Sequence, residues 1–197
     1  MGYSIEPVMT DCYPGTTVLI NRFDIRDEDK LSEVETVLVS ARNAEWLTEP
    51  RETTFDFVHY KALHRFLFSD LYAWAGQTRT VNIAKLGTQF CPADEIESNA
   101  SRVFTRLVRR KHLTDLAYED FIDGIVDFYI STNYLHPFRE GNGRTQRAFI
   151  SQLAENAGYE AAWDRIDPDL LMIATIQASS GVADTLHGVF EEIIIPL

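Results

Sequence analysis

Apolar side chains recur every three or four positions along almost the whole chain, and a sequence with that rhythm folds as packed helices. The clearest case begins at Ala93, where Ile96, Ala100, Val103, Phe104, Leu107 and Val108 form one stripe. The basic run RLVRRKH, Arg106 to His112, reads as the solvated end of that helix. Earlier, Asp27 or Asp29 caps a helix running to about Leu47, with Leu31, Val34, Leu38 and Ala41 on one face. TTFDFVHYKALHRFLFSDLY opens with a threonine cap and carries Val58, Ala62, Phe66 and Leu67 at helical spacing. AYEDFIDGIVDFYISTNY places Phe121, Ile125, Tyr129 and Thr132 together, and TQRAFISQLAENAGY is helical until Gly158. Segments at about 168–179 and 182–195 complete an all-α bundle.

One place breaks the rhythm. GQTRTVNIAKLGTQFCP, residues 76–92, has β-formers on both sides of a Lys-Leu-Gly turn and reads as a short β-hairpin. A lone hairpin is marginally stable and leaves unpaired backbone groups at its edges. In a helical protein it is a packed strut or a docking edge for another chain.

At 197 residues the chain is expected to form a single domain, 1–197. Its net charge of -12 disfavours direct nucleic-acid or anionic-membrane binding, both of which need a cationic surface. No apolar run approaches the ~20 residues of a membrane helix. The N-terminus lacks the basic-then-apolar order of a signal peptide. Cys12 and Cys91 make neither a metal cluster nor a disulfide framework, so a cytoplasmic protein with reduced thiols is expected.

The chemistry concentrates in HPFREGNGRTQR, residues 136–147, between two helices. Gly141-Asn142-Gly143 can turn successive N–H groups into one concavity, and the following helix start adds its dipole. Arg144 and Arg147, three apart, extend from nearly the same face, as suits a polyphosphate. The P-loop is excluded because Arg144 stands where Lys would be, and the dinucleotide fingerprint because Gln146 replaces a glycine. His136, with an ordinary pKa of about 6.5, can accept a proton from an incoming hydroxyl. Glu140 can hold Mg²⁺ together with substrate phosphate oxygens. Those parts make a phosphoryl- or nucleotidyl-transfer site. Phe138 is assigned to core packing, and His59, His64, His112 and His187 to structural or exposed roles.

This stretch resembles the Fic family signature, His-Pro-Phe-x-Asp/Glu-Gly-Asn-Gly-Arg-x-x-Arg, at every defining position. The resemblance extends over roughly Val18 to Leu197. It implies a Fic-type helical bundle with the hairpin as a "flap" beside the active loop, and transfer of AMP from ATP to a Tyr, Ser or Thr hydroxyl of a target protein. By that resemblance His136 is the base and Glu140 the Mg²⁺ ligand. Gly141, Asn142 and Gly143 form the anion nest, and Arg144 and Arg147 hold the outer phosphates. Lys85 and Thr88 lie near the nucleotide. Thr80, Val81, Asn82, Ile83, Ala84, Lys85, Leu86 and Gly87 receive the target as an added strand. Gly143 favours AMP transfer, since a kinase-like relative carries Lys there. The alternatives are γ-phosphoryl transfer, another nucleotide donor, or a nucleotide-dependent binding module without turnover.

Family members are often restrained by a Ser/Thr-x-x-x-Glu-Gly/Asn helix. Ser151 to Asn156 matches that pattern but lies inside the helix after the loop, where Glu155 cannot fold back, and is read as a chance match. The resemblance therefore implies a toxin-like enzyme held by a separate small antitoxin. Type II topoisomerase subunits are the first candidate targets.

Overall fold

The computed structural model describes residues 4–5, 11–48, 53–85 and 88–197, the first two by their backbone. The elements run β1 (Ser4–Ile5), α1 (Glu28–Thr48), α2 (Phe57–Phe68), β2 (Ile83–Lys85), β3 (Thr88–Gln89), α3 (Ile96–Arg109) and α4 (Tyr118–Leu135). After the loop follow α5 (Asn142–Asn156), β4 (Tyr159–Ala161), α6 (Pro168–Ser179), α7 (Asp184–Ile193) and β5 (Ile194–Pro196). The helical expectation therefore stands, with Leu86 and Gly87 of the hairpin turn outside the described residues.

The stripes on α3 and α4 are buried largely as read: Ile96, Ala100, Phe104 and Leu107 on one, Phe121, Ile125, Tyr129 and Thr132 on the other. On α2 the phase is different. Asp56, not a threonine, caps it by accepting from the His59 N–H at 2.8 Å. Val58 is 70% exposed and Ala62 exposed, while Tyr60, Leu63, His64, Leu67 and Phe68 face inward. An aromatic cluster of Phe55, Tyr60, Phe104, Phe138 and Phe149 sets this phase, because large rings bury more area than small aliphatics. On α1, capped by Asp27, Ala41 is exposed and the inner line is Leu31, Glu35, Val39 and Trp46.

The sheets correct a second expectation. β4 and β5 pair antiparallel, Tyr159 opposite Pro196, closing the C-terminus onto the end of α5. The flap strands β2 and β3 pair as expected, but β1 pairs antiparallel with the other side of β2, Ser4 opposite Ala84 and Ile5 opposite Ile83. Pairings of two or three residues, far apart in the chain, leave no periodic trace in a sequence. No described helix is long and apolar enough to cross a membrane.

α4 and α5 form the platform for the loop. Gln146 on α5 donates to the Tyr129 carbonyl at 2.8 Å and to Thr132 Oγ1 at 2.7 Å on α4. These are buried polar contacts that fix the relative rotation of the two helices.

Candidate active site

Six residues, His136 to Gly141, carry the chain from α4 to α5. His136 ends α4 in the left-handed region, φ +38°, with its N–H on the Thr132 carbonyl at 3.0 Å. Phe138, fully buried, stacks on His64 at 3.8 Å between ring centroids. Asn142 clamps the loop: its Oδ1 accepts from Phe138 N at 2.9 Å and its Nδ2 donates to Phe138 O at 2.8 Å. His64 accepts from Gly76 N on Nδ1, which places its hydrogen on Nε2 and lets it donate to the Glu140 carbonyl at 3.0 Å. The Asn142 side chain is thus a loop clamp, and it is buried.

The expected Gly-Asn-Gly nest is narrower than it reads. Among the three, Gly141 alone has positive φ, +79°, while Asn142 and Gly143 already belong to α5. The amides that remain available to an anion are those of a helix N-terminus. A Cβ on Gly141 would run into the Phe68 ring. Gly141→Ala therefore combines a left-handed L-residue with overpacking, and a loss of ~2–4 kcal/mol is expected in urea unfolding.

His136 is 7% exposed, stacked on Phe90 with centroids 3.7 Å apart. Its Nδ1 lies 3.1 Å from the Asn133 carbonyl, so the hydrogen sits there and the lone pair on Nε2. Burial, reinforced by Arg79 and Lys85, lowers its pKa to about 3. The ordinary histidine value expected from sequence does not hold: the imidazole is neutral throughout the physiological range. Arg79, which sequence reasoning passed over, fixes this end of the loop. Its Nε donates to the His136 carbonyl at 2.8 Å and its Nη1 to the Val81 carbonyl at 2.7 Å, with Nη2 on Cys91 O. One buried guanidinium thereby ties the base of the flap to the loop.

His136, Gly143, Arg147, Lys85 and Thr88 come together around a cavity of about 250 Å³, closed on the far side by α6. A second, more apolar chamber of about 320 Å³, sharing Phe90, Tyr129 and Asn133 with it, extends toward Ala178 and Leu186. Arg147 makes no ion pair among the described residues, and burial lowers its pKa. A Cβ on Gly143 would meet Arg147 Nη1 at 3.5 Å, an ordinary van der Waals contact.

The two arginines do not act as one pair. Arg144 turns to Glu35 of α1, with which it shares a hydrogen-bonded ion pair, and lies over Phe68. Glu35 also accepts from the Tyr72 hydroxyl. Glu140 lies on that side too: Oε1 accepts from Gly141 N at 2.8 Å and stands 3.6 Å from Arg144. Burial raises its pKa. No cluster of three metal-ligating side chains occurs among the described residues, but a Mg²⁺ ion borne by substrate phosphates needs only one carboxylate, and Glu140 fits.

Of the flap residues, Ile83, Ala84 and Lys85 form β2, whereas Thr80, Val81 and Asn82 lead into it, Asn82 accepting from Ala93 N at 2.9 Å. Arg139 of the loop pairs with Asp11, anchoring the chain upstream of α1. Cys12 and Cys91 are free and buried. α5 runs unbroken through the Ser151–Asn156 match, and Glu155 is exposed.

Residues 54–154 match the profile of the Fic/DOC family. The chain is 43% identical over 171 residues to the probable protein adenylyltransferase y4lH of Sinorhizobium fredii, covering 86% of this chain and 88% of that one. It is 39% identical over 175 residues to the protein adenylyltransferase VbhT of Bartonella schoenbuchensis, covering 89% of this chain and 37% of that longer protein. The crystal structure of BepC from Bartonella tribocorum, with bound AMPPNP, superimposes with a TM-score of 0.88 at 27% identity, covering 95% and 97% of the two chains.

Proposed function

The chain belongs to the Fic/DOC family, and on that premise we propose that it is a protein adenylyltransferase, moving AMP from ATP to a Tyr, Ser or Thr hydroxyl of another protein. The observation that carries the reading is one cavity where a neutral histidine faces a helix N-terminus and a half-buried arginine.

His136 Nε2 takes the proton from the target hydroxyl as its oxygen attacks the α-phosphorus in line, and pyrophosphate leaves. The α5 amides at Gly143, with Arg147 and Lys85, hold the phosphates, catalysing by position and charge. Thr88 borders the nucleotide, and the apolar chamber beside it suits a base. Glu140 would hold Mg²⁺, which neutralises phosphate charge when bound. Arg144 approaches the outer phosphates from the Glu35 side. Gly143 favours this orientation over γ-phosphoryl transfer. The chain is read as the cytoplasmic toxin of a toxin–antitoxin pair, its antitoxin supplying the inhibitory helix, with type II topoisomerase subunits as first candidate targets.

The test uses bacterial lysate and ATP labelled at either the α- or the γ-phosphate. Protein label from the α position alone supports AMP transfer. Label from γ alone makes the enzyme a kinase, and label from neither overturns the catalytic reading.

A target strand added to β2 meets an obstacle, because Ser4–Ile5 already pairs with its open side. The chain's own strand must leave first. Ser4→Pro with Ile5→Pro removes backbone donors from β1 and is expected to raise target labelling several-fold. Ile83→Pro should abolish it while ATP binding persists. Equal labelling in all three proteins would rule out addition at this edge.

A further inference from the structure

Two carboxylates, Glu35 and Glu140, approach the single guanidinium of Arg144, and they do not share it equally. Arg144 Nη2 is hydrogen-bonded to Glu35 Oε1 and stands 3.6 Å from Glu140 Oε1. Glu35 occupies the core line of α1, between Leu31 and Val39, where only 8% of it is exposed. A carboxylate there is unfavourable unless its charge and lone pairs are met. Arg144 meets one oxygen and the Tyr72 hydroxyl the other, and Tyr72 is itself fixed by stacking on Trp74 at 4.5 Å. Phe68, 4.8 Å from the guanidinium carbon, supports its face.

Glu140, in the loop just before the Gly141 cap, and Arg144, in the first turn of α5, already stand within ion-pair reach at 3.6 Å. Without Glu35, Arg144 would close on Glu140 and occupy it. We propose that Glu35 is a positioning residue that holds Arg144 off Glu140, leaving the Glu140 carboxylate open to a divalent cation. This rests on the reading of Glu140 as the ligand of the nucleotide-borne Mg²⁺. Glu140 is oriented for that task by the Gly141 N–H on Oε1, an oxygen that leaves Oε2 outside this bond. Lys85 is the other cation facing Glu140, from β2, and Arg144 is the one that Glu35 controls.

The experiment measures binding of Mn²⁺, as a spectroscopic substitute for Mg²⁺, to the full chain saturated with AMP-PNP, by electron paramagnetic resonance. Glu35→Gln keeps the shape and an acceptor for Tyr72 but loses the charge. It is expected to weaken Mn²⁺ binding about tenfold, the scale of outer-shell effects on metal sites. Adding Arg144→Gln to it should recover most of the affinity, since the competitor for Glu140 is then gone. Glu35→Asp keeps the charge and should stay within about threefold of wild type. It also serves where the glutamine variant folds poorly. Wild-type Mn²⁺ affinity in Glu35→Gln with a lowered thermal midpoint would make Glu35 structural only and overturn the proposal. Failure of the double variant to recover would overturn it as well. Absence of Mn²⁺ binding by wild type would instead defeat the metal reading of Glu140, and the proposal with it.

Discussion

His136→Ala is expected to lower AMP transfer by about 10²–10⁴, the usual range for loss of a positioned proton acceptor, with nucleotide binding retained. The variant should also change how stability responds to acid. With its folded pKa lowered to about 3, His136 is neutral in the native protein, while in the unfolded chain it protonates near pH 6.5. Below pH 6.5 the unfolded state therefore binds the extra proton, and stability falls as pH drops toward 3. The slope is about 1.4 kcal/mol per pH unit for each such group. His64, also lowered to about 3 by burial, contributes in the same sense. Urea unfolding of His136→Ala between pH 6 and pH 4 should lose the His136 share of that slope. The same lowered pKa means that wild-type kcat/KM carries no histidine limb near pH 6.5. A limb there, abolished in the alanine variant, would contradict a base held neutral by burial.

Reading the sequence recovered the parts of this site that are local and failed where the partner is remote. The α3 stripe was legible because Ile96, Ala100, Phe104 and Leu107 keep the 3.6-residue period, although Val108, read into the same stripe, is 50% exposed. The α2 phase was not, because Val58 and Ala62 are apolar yet exposed, while His59 and His64 are polar yet packed among rings. The loop is one contiguous motif, so His136, Gly143 and Arg147 could be grouped from spacing alone, and the structure brings them around one cavity. Glu35 lies 109 residues from Arg144, and a glutamate in SEVETV reads as a solvated helix face. Its one sequence signal was its fit to the Leu31–Val39 line, a polar residue in an apolar series. Arg79 was likewise passed over, because its four bonds to carbonyls need tertiary structure to be seen.

The two signature arginines look alike in sequence and should respond oppositely to removal. Arg144→Ala leaves the Glu35 carboxylate buried without its counter-charge, a loss of roughly 2–4 kcal/mol, toward the lower end because Arg144 is 30% exposed. Among the described residues Arg147 has no carboxylate to abandon. Burial and the nearby Arg144 disfavour its charge in the ligand-free protein, so its guanidinium is kept at some loss of stability for an anion to come. Arg147→Ala should therefore leave the ligand-free thermal midpoint unchanged or raise it by a few degrees. ATP binding should weaken about 10–100-fold, as follows from losing a charge-assisted hydrogen bond worth ~1.5–3 kcal/mol. Thermal scans of both variants, with and without AMP-PNP, separate the cases. Wild type and Arg144→Ala should still gain stability from the nucleotide, and Arg147→Ala should gain little. If Arg147→Ala lowered the ligand-free midpoint as far as Arg144→Ala does, Arg147 would be holding the fold together, and the phosphates would have to be held by Lys85 and the α5 amides.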